Sequence, residues 1–194
     1  MKNMKGNEFY RKAIHILNIM IPLSHMHIIK NKIDMIIFLS AMLIFCFFVE
    51  IQRTKESFLS KQFERYFFFM MRDFEKEGDL TGSTWVFVGA LFTIIIVPYP
   101  FCLLALFFLA VGDTFASLVG MNYPYIKVGG KTLSGSLACF LTCLTIGSIY
   151  NFEINSLIIF IGALVATAAE LFCKSINDNV MIPLFSGLSM YIVS

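Results

Sequence analysis

Residues 112–136 read GDTFASLVGMNYPYIKVGGKTLSGS, and the chain is organised around them. An apolar run, PFCLLALFFLAV, leads in, and another, LACFLTCLTIG, leads out. Between them stand Asp113, Lys131, five glycines (Gly112, Gly120, Gly129, Gly130 and Gly135) and the hydroxyls of Thr114, Ser117, Thr132, Ser134 and Ser136. A carboxylate, a lysine and a glycine-rich turn at the mouth of a hydrophobic bundle form a setting suited to a metal-chelated phosphate.

The flanking runs set the class. Of 194 residues, 58% are hydrophobic, against roughly 45–50% in ordinary soluble domains, and the mean hydropathy is +0.77. The excess falls in blocks near helix-spanning length, so the expected fold is all-α: a polytopic membrane protein of about seven transmembrane helices in a single domain, residues 1–194. The expected spans are 14–29 (interrupted by Pro22), 33–51, 84–97, 100–120, 133–150, 155–173 and 180–194. No cleavable signal peptide is expected after the first apolar run. The five cysteines, Cys46, Cys102, Cys139, Cys143 and Cys173, lie in or beside apolar blocks and read as small buried hydrophobes.

Charge gives the orientation. With seven alternating spans, thirteen of the fifteen Lys and Arg residues fall on one side, and only Lys30 and Lys32 on the other. The positive-inside rule puts the N-terminus in the cytoplasm. Residues 52–82, 121–132 and 174–179 then share the cytoplasmic face, where nucleotides are available. Within 52–82, the stretch KQFERYFFFMMRDFEK (61–76) reads as an interfacial helix with Gln62, Arg65, Arg72 and Lys76 on one face.

Polar residues inside spans cost roughly 2.5–3.5 kcal/mol each when charged, so each needs a reason. Asp113 sits beside a stripe of small residues, Gly112, Ala116 and Gly120, which lets another backbone approach closely. Gly130-Lys131-Thr132 resembles the end of a phosphate-binding P-loop, but the first glycine of that pattern would fall at Tyr125 and no strand precedes it. What survives is a lysine, glycine N–H groups and a helix N-terminus opening over Thr132 to Ser136, all of which favour an anion. Arg11, His15, Asn18 and His25 form one polar stripe on the first span. Glu50 and Arg53 are spaced to pair. Thr167, Glu170, Lys174 and Asp178 form a polar face on the sixth span, with Glu170 and Lys174 spaced to neutralise each other. Asp178 is a candidate second metal carboxylate beside Asp113.

Taken together, Arg11-Lys12-x-x-His15, Glu50-x-x-Arg53, Arg72-x-x-Glu75, Gly112-Asp113-x-x-Ala116, Lys131-Thr132-x-x-Gly135-Ser136-x-Ala138 and Glu170…Asp178-Asn179…Pro183 resemble the CTP-dependent lipid alcohol kinases. These comprise dolichol (polyprenol) kinase, phytol kinase and the CTP-dependent diacylglycerol kinase. The resemblance runs in order over nearly the whole chain. It implies transfer of the terminal phosphate of CTP, as its Mg²⁺ complex, to a membrane lipid alcohol at the cytoplasmic side of the bilayer. It implies a nucleotide and metal site of Asp113, Lys131, Thr132, Gly135, Ser136, Asp178 and Asn179, with His15, Arg53, Arg72, Glu75 and Glu170 in support. The loop at 121–130 is short and the chain compact, so the smaller relatives, without the long N-terminal extension of larger dolichol kinases, are the expected analogy. Asp113 and Glu170 are both candidates for the group that takes the alcohol proton. Nucleic acid is not an expected partner.

Two rival readings stay open. Phosphatidate cytidylyltransferase also uses CTP, but its S-x-x-K-R and P-G-H-G-G signatures have no match where Lys174 precedes Ser175 and Pro183 precedes Leu184. A small transporter could use Asp113, Glu170 and His15 along an ion path, although no inverted repeat is visible.

Overall fold

The computed structural model describes residues 2–53, 55, 58–150, 152–172 and 177–194, with side chains from residue 8 onward other than those at 58–60, 63 and 64. Among the described residues the secondary structure is all helical apart from one small hairpin. Helix α1 (Lys2–Ile16) passes through a 3₁₀ turn at Leu17–Ile19 into α2 (Met20–His27). The break lies one turn before Pro22. Proline has no N–H to bond the carbonyl of Asn18, and its ring crowds that carbonyl, so the α-helical ladder tightens there.

Helix α3 (Lys32–Arg53) is followed by α4 (Phe58–Phe67), a 3₁₀ turn at Phe68–Met70 and the short α5 (Asp73–Lys76). The backbone is extended at Met71 and Arg72, so the expected single face from Gln62 to Lys76 is broken in two. Cationic side chains in this region lie over aromatic rings: Arg65 over Tyr66, Arg72 over Phe74 and Lys76 over Phe68.

The centre of the molecule is one continuous run. Helix α7 (Phe101–Phe107) enters a π-helical turn at Phe108–Gly112 and leaves as α8 (Asp113–Asn122). Leu103, Leu104, Ala105, Phe107 and Phe108 are fully buried. Asp113 therefore lies inside a continuous helix, directly after its widened turn, and does not end it. Around this axis pack α6 (Gly82–Ile96), α9 (Leu133–Ile149), α10 (Ser156–Phe172) and α11 (Asp178–Val193). Helix α3 packs mainly on α6 at the periphery, and its outward residues Ile33, Ile37, Ile44 and Phe48 are exposed.

Small residues set the close approaches. A Cβ at Gly112 would lie 2.8 Å from Cys143 Sγ, and one at Gly120 would lie 2.7 Å from Thr132 Oγ1. One at Gly135 would lie 2.6 Å from the Ala116 carbonyl oxygen. The Gly112–Ala116–Gly120 stripe thus receives α9, as its spacing predicts. Between α8 and α9, strands β1 (Lys127–Val128) and β2 (Lys131–Thr132) pair antiparallel around Gly129-Gly130. Gly129 takes a positive φ of 65°, which glycine reaches without a Cβ penalty.

Among the described residues two helices, Lys32–Arg53 and Phe101–Asn122, are long and apolar enough to cross a membrane. Gly82–Ile96, Leu133–Ile149, Ser156–Phe172 and Asp178–Val193 are shorter apolar helices.

Candidate functional site

One end of the bundle holds a cavity of about 470 Å³. It is assembled from segments far apart in sequence: α1, the C-terminal end of α3, the Phe67–Glu75 segment, the N-termini of α6 and α11, and Asp113 at the start of α8. The polar lining comes from Arg11, Lys12, His15 and Asn18, then Glu50, Arg72 and Glu75, then Asp113, Asp178 and Asn179. His25 is absent from this lining. The 3₁₀ turn at Leu17–Ile19 shifts the helical register, and His25 instead turns its Nδ1 to the Ile29 carbonyl oxygen at 2.7 Å, with its ring against Tyr99.

Asp113 is buried and paired. Its Oδ2 accepts from Lys12 Nζ at 2.5 Å and lies 3.2 Å from His15 Nε2. His15 Nδ1 is 3.2 Å from the Asn18 amide nitrogen. His15 thus stands between Asn18 and Asp113, and Lys12 closes on the same carboxylate oxygen. The partnership of Asp113 with Lys12 spans 101 residues.

Lys131 is not among the cavity-lining residues. Its ammonium pairs with Asp178 at 2.7 Å and Glu170 at 3.1 Å, and also donates to the Glu170 carbonyl oxygen. Its influence reaches the cavity through Asp178, and its charge is felt at Asp113. Burial works against the charged form of Lys131, but Asp178 and Glu170 outweigh it and raise the pKa above its ordinary value. Glu170 pairs with Lys131; the expected Glu170–Lys174 pair falls on a residue outside the described ones, as does Cys173.

Thr132, Gly135 and Ser136 have structural partners in the same support. Thr132 caps α9, its side chain accepting from the Gly135 N–H at 3.2 Å. Ser136 donates to Glu170 Oε2 at 3.2 Å, and Gly135 makes room for the α8 backbone. Thr167 bonds the Ala163 carbonyl of its own helix. The cap takes the Gly135 N–H at the start of α9, and Thr132, Gly135 and Ser136 lie outside the cavity lining.

Two carboxylates hold the N-terminus of α6 over the cavity. Glu50 Oε1 accepts from the Thr81 N–H at 2.8 Å, from the Thr81 hydroxyl at 2.7 Å and from the Thr84 hydroxyl at 2.8 Å. Its other oxygen pairs with Arg53 at 2.8 Å, as the spacing predicts. Glu75 accepts from the Gly82 N–H at 2.9 Å and from the Arg72 N–H at 2.7 Å. Arg53 also ties down the Glu75 and Asp79 carbonyls, at 2.6 and 2.7 Å. Negative charge at a helix N-terminus is favourable. The capping role of Glu50 and Glu75 was hidden in the sequence because α6 begins 32 residues after the first of them. Asn179 reaches the Gly82 carbonyl at 3.2 Å, which joins the starts of α6 and α11.

The charged lining carries both signs, with one more carboxylate than fixed cation. Arg11, Lys12 and Arg72 face Glu50, Glu75, Asp113 and Asp178. A phosphate-chelated Mg²⁺ needs one or two protein carboxylates. Asp113 and Asp178 both line the cavity, each paired with a lysine. Among the described residues, no group of three or more His, Cys, Asp or Glu gathers as a metal cage, so a cation here would take its remaining ligands from phosphate and water.

Comparison with known proteins leaves the family open. No family model and no solved structure matches the chain. The chain is similar to a protein of Rickettsia prowazekii (strain Madrid E), described as "uncharacterized protein RP860". The two are 28% identical over 187 residues, covering 92% of this chain and 91% of that one.

Proposed function

We propose that the protein is a multi-span membrane kinase that transfers the terminal phosphate of Mg-CTP to a lipid alcohol at the cytoplasmic face. The observation that carries this reading is the cavity. Arg11, Lys12, His15, Glu50, Arg72, Glu75, Asp113, Asp178 and Asn179 come from widely separated stretches and line one space. That space continues into Phe45, Val49, Met70 and Phe74. A charged end and a greasy end in one cavity suit a reaction between a nucleotide phosphate and the head of a lipid.

The seven-span arrangement with a cytoplasmic N-terminus belongs to the same proposal. Helix α3 has 22 residues, about 33 Å at 1.5 Å per residue, which matches a hydrocarbon core of about 30 Å. The shorter helices need their polar flanks to complete the crossing. The cavity lies at the cation-rich end of these helices, the end that the positive-inside rule assigns to the cytoplasm.

Phosphoryl transfer depends on positioning and charge neutralisation. Bound Mg²⁺ would offset phosphate charge and orient the terminal group, with Asp113 and Asp178 as its protein ligands. Arg72 and Arg11 would face the phosphates, and Lys131 would hold Asp178. Binding of the cation at Asp113 would free Lys12 to turn toward phosphate oxygens. The alcohol oxygen forms its bond to the terminal phosphorus, the bond from that phosphorus to the bridging oxygen breaks, and CDP leaves. Of the two candidate acceptors of the alcohol proton, Asp113 lines the cavity whereas Glu170, held by Lys131 and Ser136, does not, so the proton passes to Asp113.

The decisive experiment uses purified protein in detergent with Mg²⁺, labelled CTP or ATP, and diacylglycerol, phytol and polyprenol as acceptors. A phosphorylated lipid and CDP are expected. Release of pyrophosphate with a CDP-lipid would replace the kinase with a cytidylyltransferase. Transfer to no alcohol would end the assignment.

A further inference from the structure

The lining of the cavity runs opposite to that of a water-soluble pocket. Its innermost groups are charged or polar: Lys12, Glu50, Glu75 and Asp113 are each no more than 7% exposed. Its most open apolar members are Ile14, Phe45, Phe67 and Phe74, each at 44–59%. Arg72 and Ser83 are also open to the outside, so the rim has an apolar sector and a polar one. Ile14 comes from α1 and Phe45 from α3, which pack mainly on α8 and α6, and Phe67 and Phe74 come from the segment that follows α3. Along α3 the lining passes from Glu50 through Val49 and Cys46 to Phe45, from charge to hydrocarbon within about one turn. The outer surface of α3 beside it, Ile44 and Phe48, is apolar and exposed.

We propose that the gap between α1 and α3 is a lateral portal and that its occupant is the hydrocarbon chain of the acceptor lipid. The proposal rests on the lipid-alcohol reading and locates the chain within it. A cavity of about 470 Å³ is of ordinary size for one small ligand. It cannot enclose both a nucleoside triphosphate and a long tail, so the tail leaves through the apolar rim into the bilayer. Ile14, Phe45, Cys46 and Val49 then grip only the carbons nearest the hydroxyl. The site therefore selects the chain close to its head and tolerates length beyond it. Charged groups seated behind an apolar entrance are shielded from water, which strengthens their hold on a phosphate.

The test uses the full protein in phosphatidylcholine nanodiscs with a long-chain primary alcohol carrying a diazirine on one of its first carbons. Adducts are mapped by mass spectrometry. Labelling of Ile14, Phe45, Cys46 or Val49 is expected, competed by unlabelled alcohol of the same chain and not by the corresponding alkane. Labelling confined to Ile44 and Phe48, or indifferent to competition, would overturn the portal. A Val49→Trp protein is expected to raise the KM for a long-chain alcohol at least tenfold while leaving the nucleotide KM unchanged; equal changes in both would also overturn it. Competed labelling without phosphate transfer would keep the subsite and remove the kinase reading. Transfer without competed labelling would do the reverse.

Discussion

The Lys12–Asp113 pair can be separated into its structural and chemical parts. Both groups are buried, at 6% exposure each, and 2.5 Å apart. Removing one partner of such a pair costs about 3–5 kcal/mol because the other charge is stranded, whereas removing both is often close to neutral. For Lys12→Met the expected cost is at the lower end of that range, because His15 Nε2 lies 3.2 Å from the same oxygen and remains beside it when the ammonium is gone. Asp113→Asn strands Lys12 and is expected toward the upper end. For a chain of this size about 2–4 °C of Tm is lost per kcal/mol, so the single variants should melt roughly 6–20 °C below the parent. The double variant Lys12→Met/Asp113→Asn should recover most of that loss. Activity should behave differently. Asp113→Asn is expected to lower kcat by about 10²–10⁴-fold, the range for loss of a group that handles a proton, and the double variant should stay equally low. The assay is a thermal melt in detergent at pH 7.5 alongside labelled phosphate transfer to lipid. Single variants with parental Tm would refute the buried pair. A double variant that regained activity with its stability would refute a chemical role for Asp113.

Three further outcomes are expected. The pKa of Lys131 is raised in the folded protein, so the stability it contributes is fully present below its ordinary value of 10.5 and is lost as pH rises through the raised value; the gap in unfolding midpoint between the parent and Lys131→Met should be constant from pH 7 to 9 and shrink above about pH 10.5. A gap that shrank below pH 8 would contradict the pairing with Asp178 and Glu170. Gly89→Ala should prevent normal folding or lower the Tm sharply, since its Cβ would lie 2.0 Å from the Asn179 carbonyl oxygen, while Gly130→Ala meets nothing within 4 Å and should change stability by no more than about 0.5 kcal/mol; a melt and size-exclusion profile of each variant decide this. Arg72→Ala should leave the Tm unchanged, because the side chain is 46% exposed and its pair with Glu8 is long at 3.7 Å, and should raise the nucleotide KM about tenfold with a reduced dependence on salt.

Residue patterns with local causes were legible in advance. The apolar blocks marked the long helices because a helix in an apolar setting announces itself by its own composition. The Gly112–Ala116–Gly120 stripe marked a close helix contact, and Glu50 with Arg53 marked a helix-end pair, because both depend on spacing within one helix. Thr132 was readable as the start of α9. The Gln62–Lys76 face was not sound, since the extended backbone at Met71 and Arg72 breaks the periodicity that the pattern assumed. His25 left its stripe for a related reason: a 3₁₀ turn intervenes.

From its sequence alone, this protein is a helical chain with an apolar exterior and a small set of polar residues that need a common purpose. Only the tertiary structure chose their partners. It set Lys12 on Asp113, placed Lys131 between Asp178 and Glu170, and turned Glu50 and Glu75 into caps for α6. The reason is physical. Helical periodicity is written within a few turns, but an ion pair across 47 or 101 residues depends on which helices pack together and at what rotation.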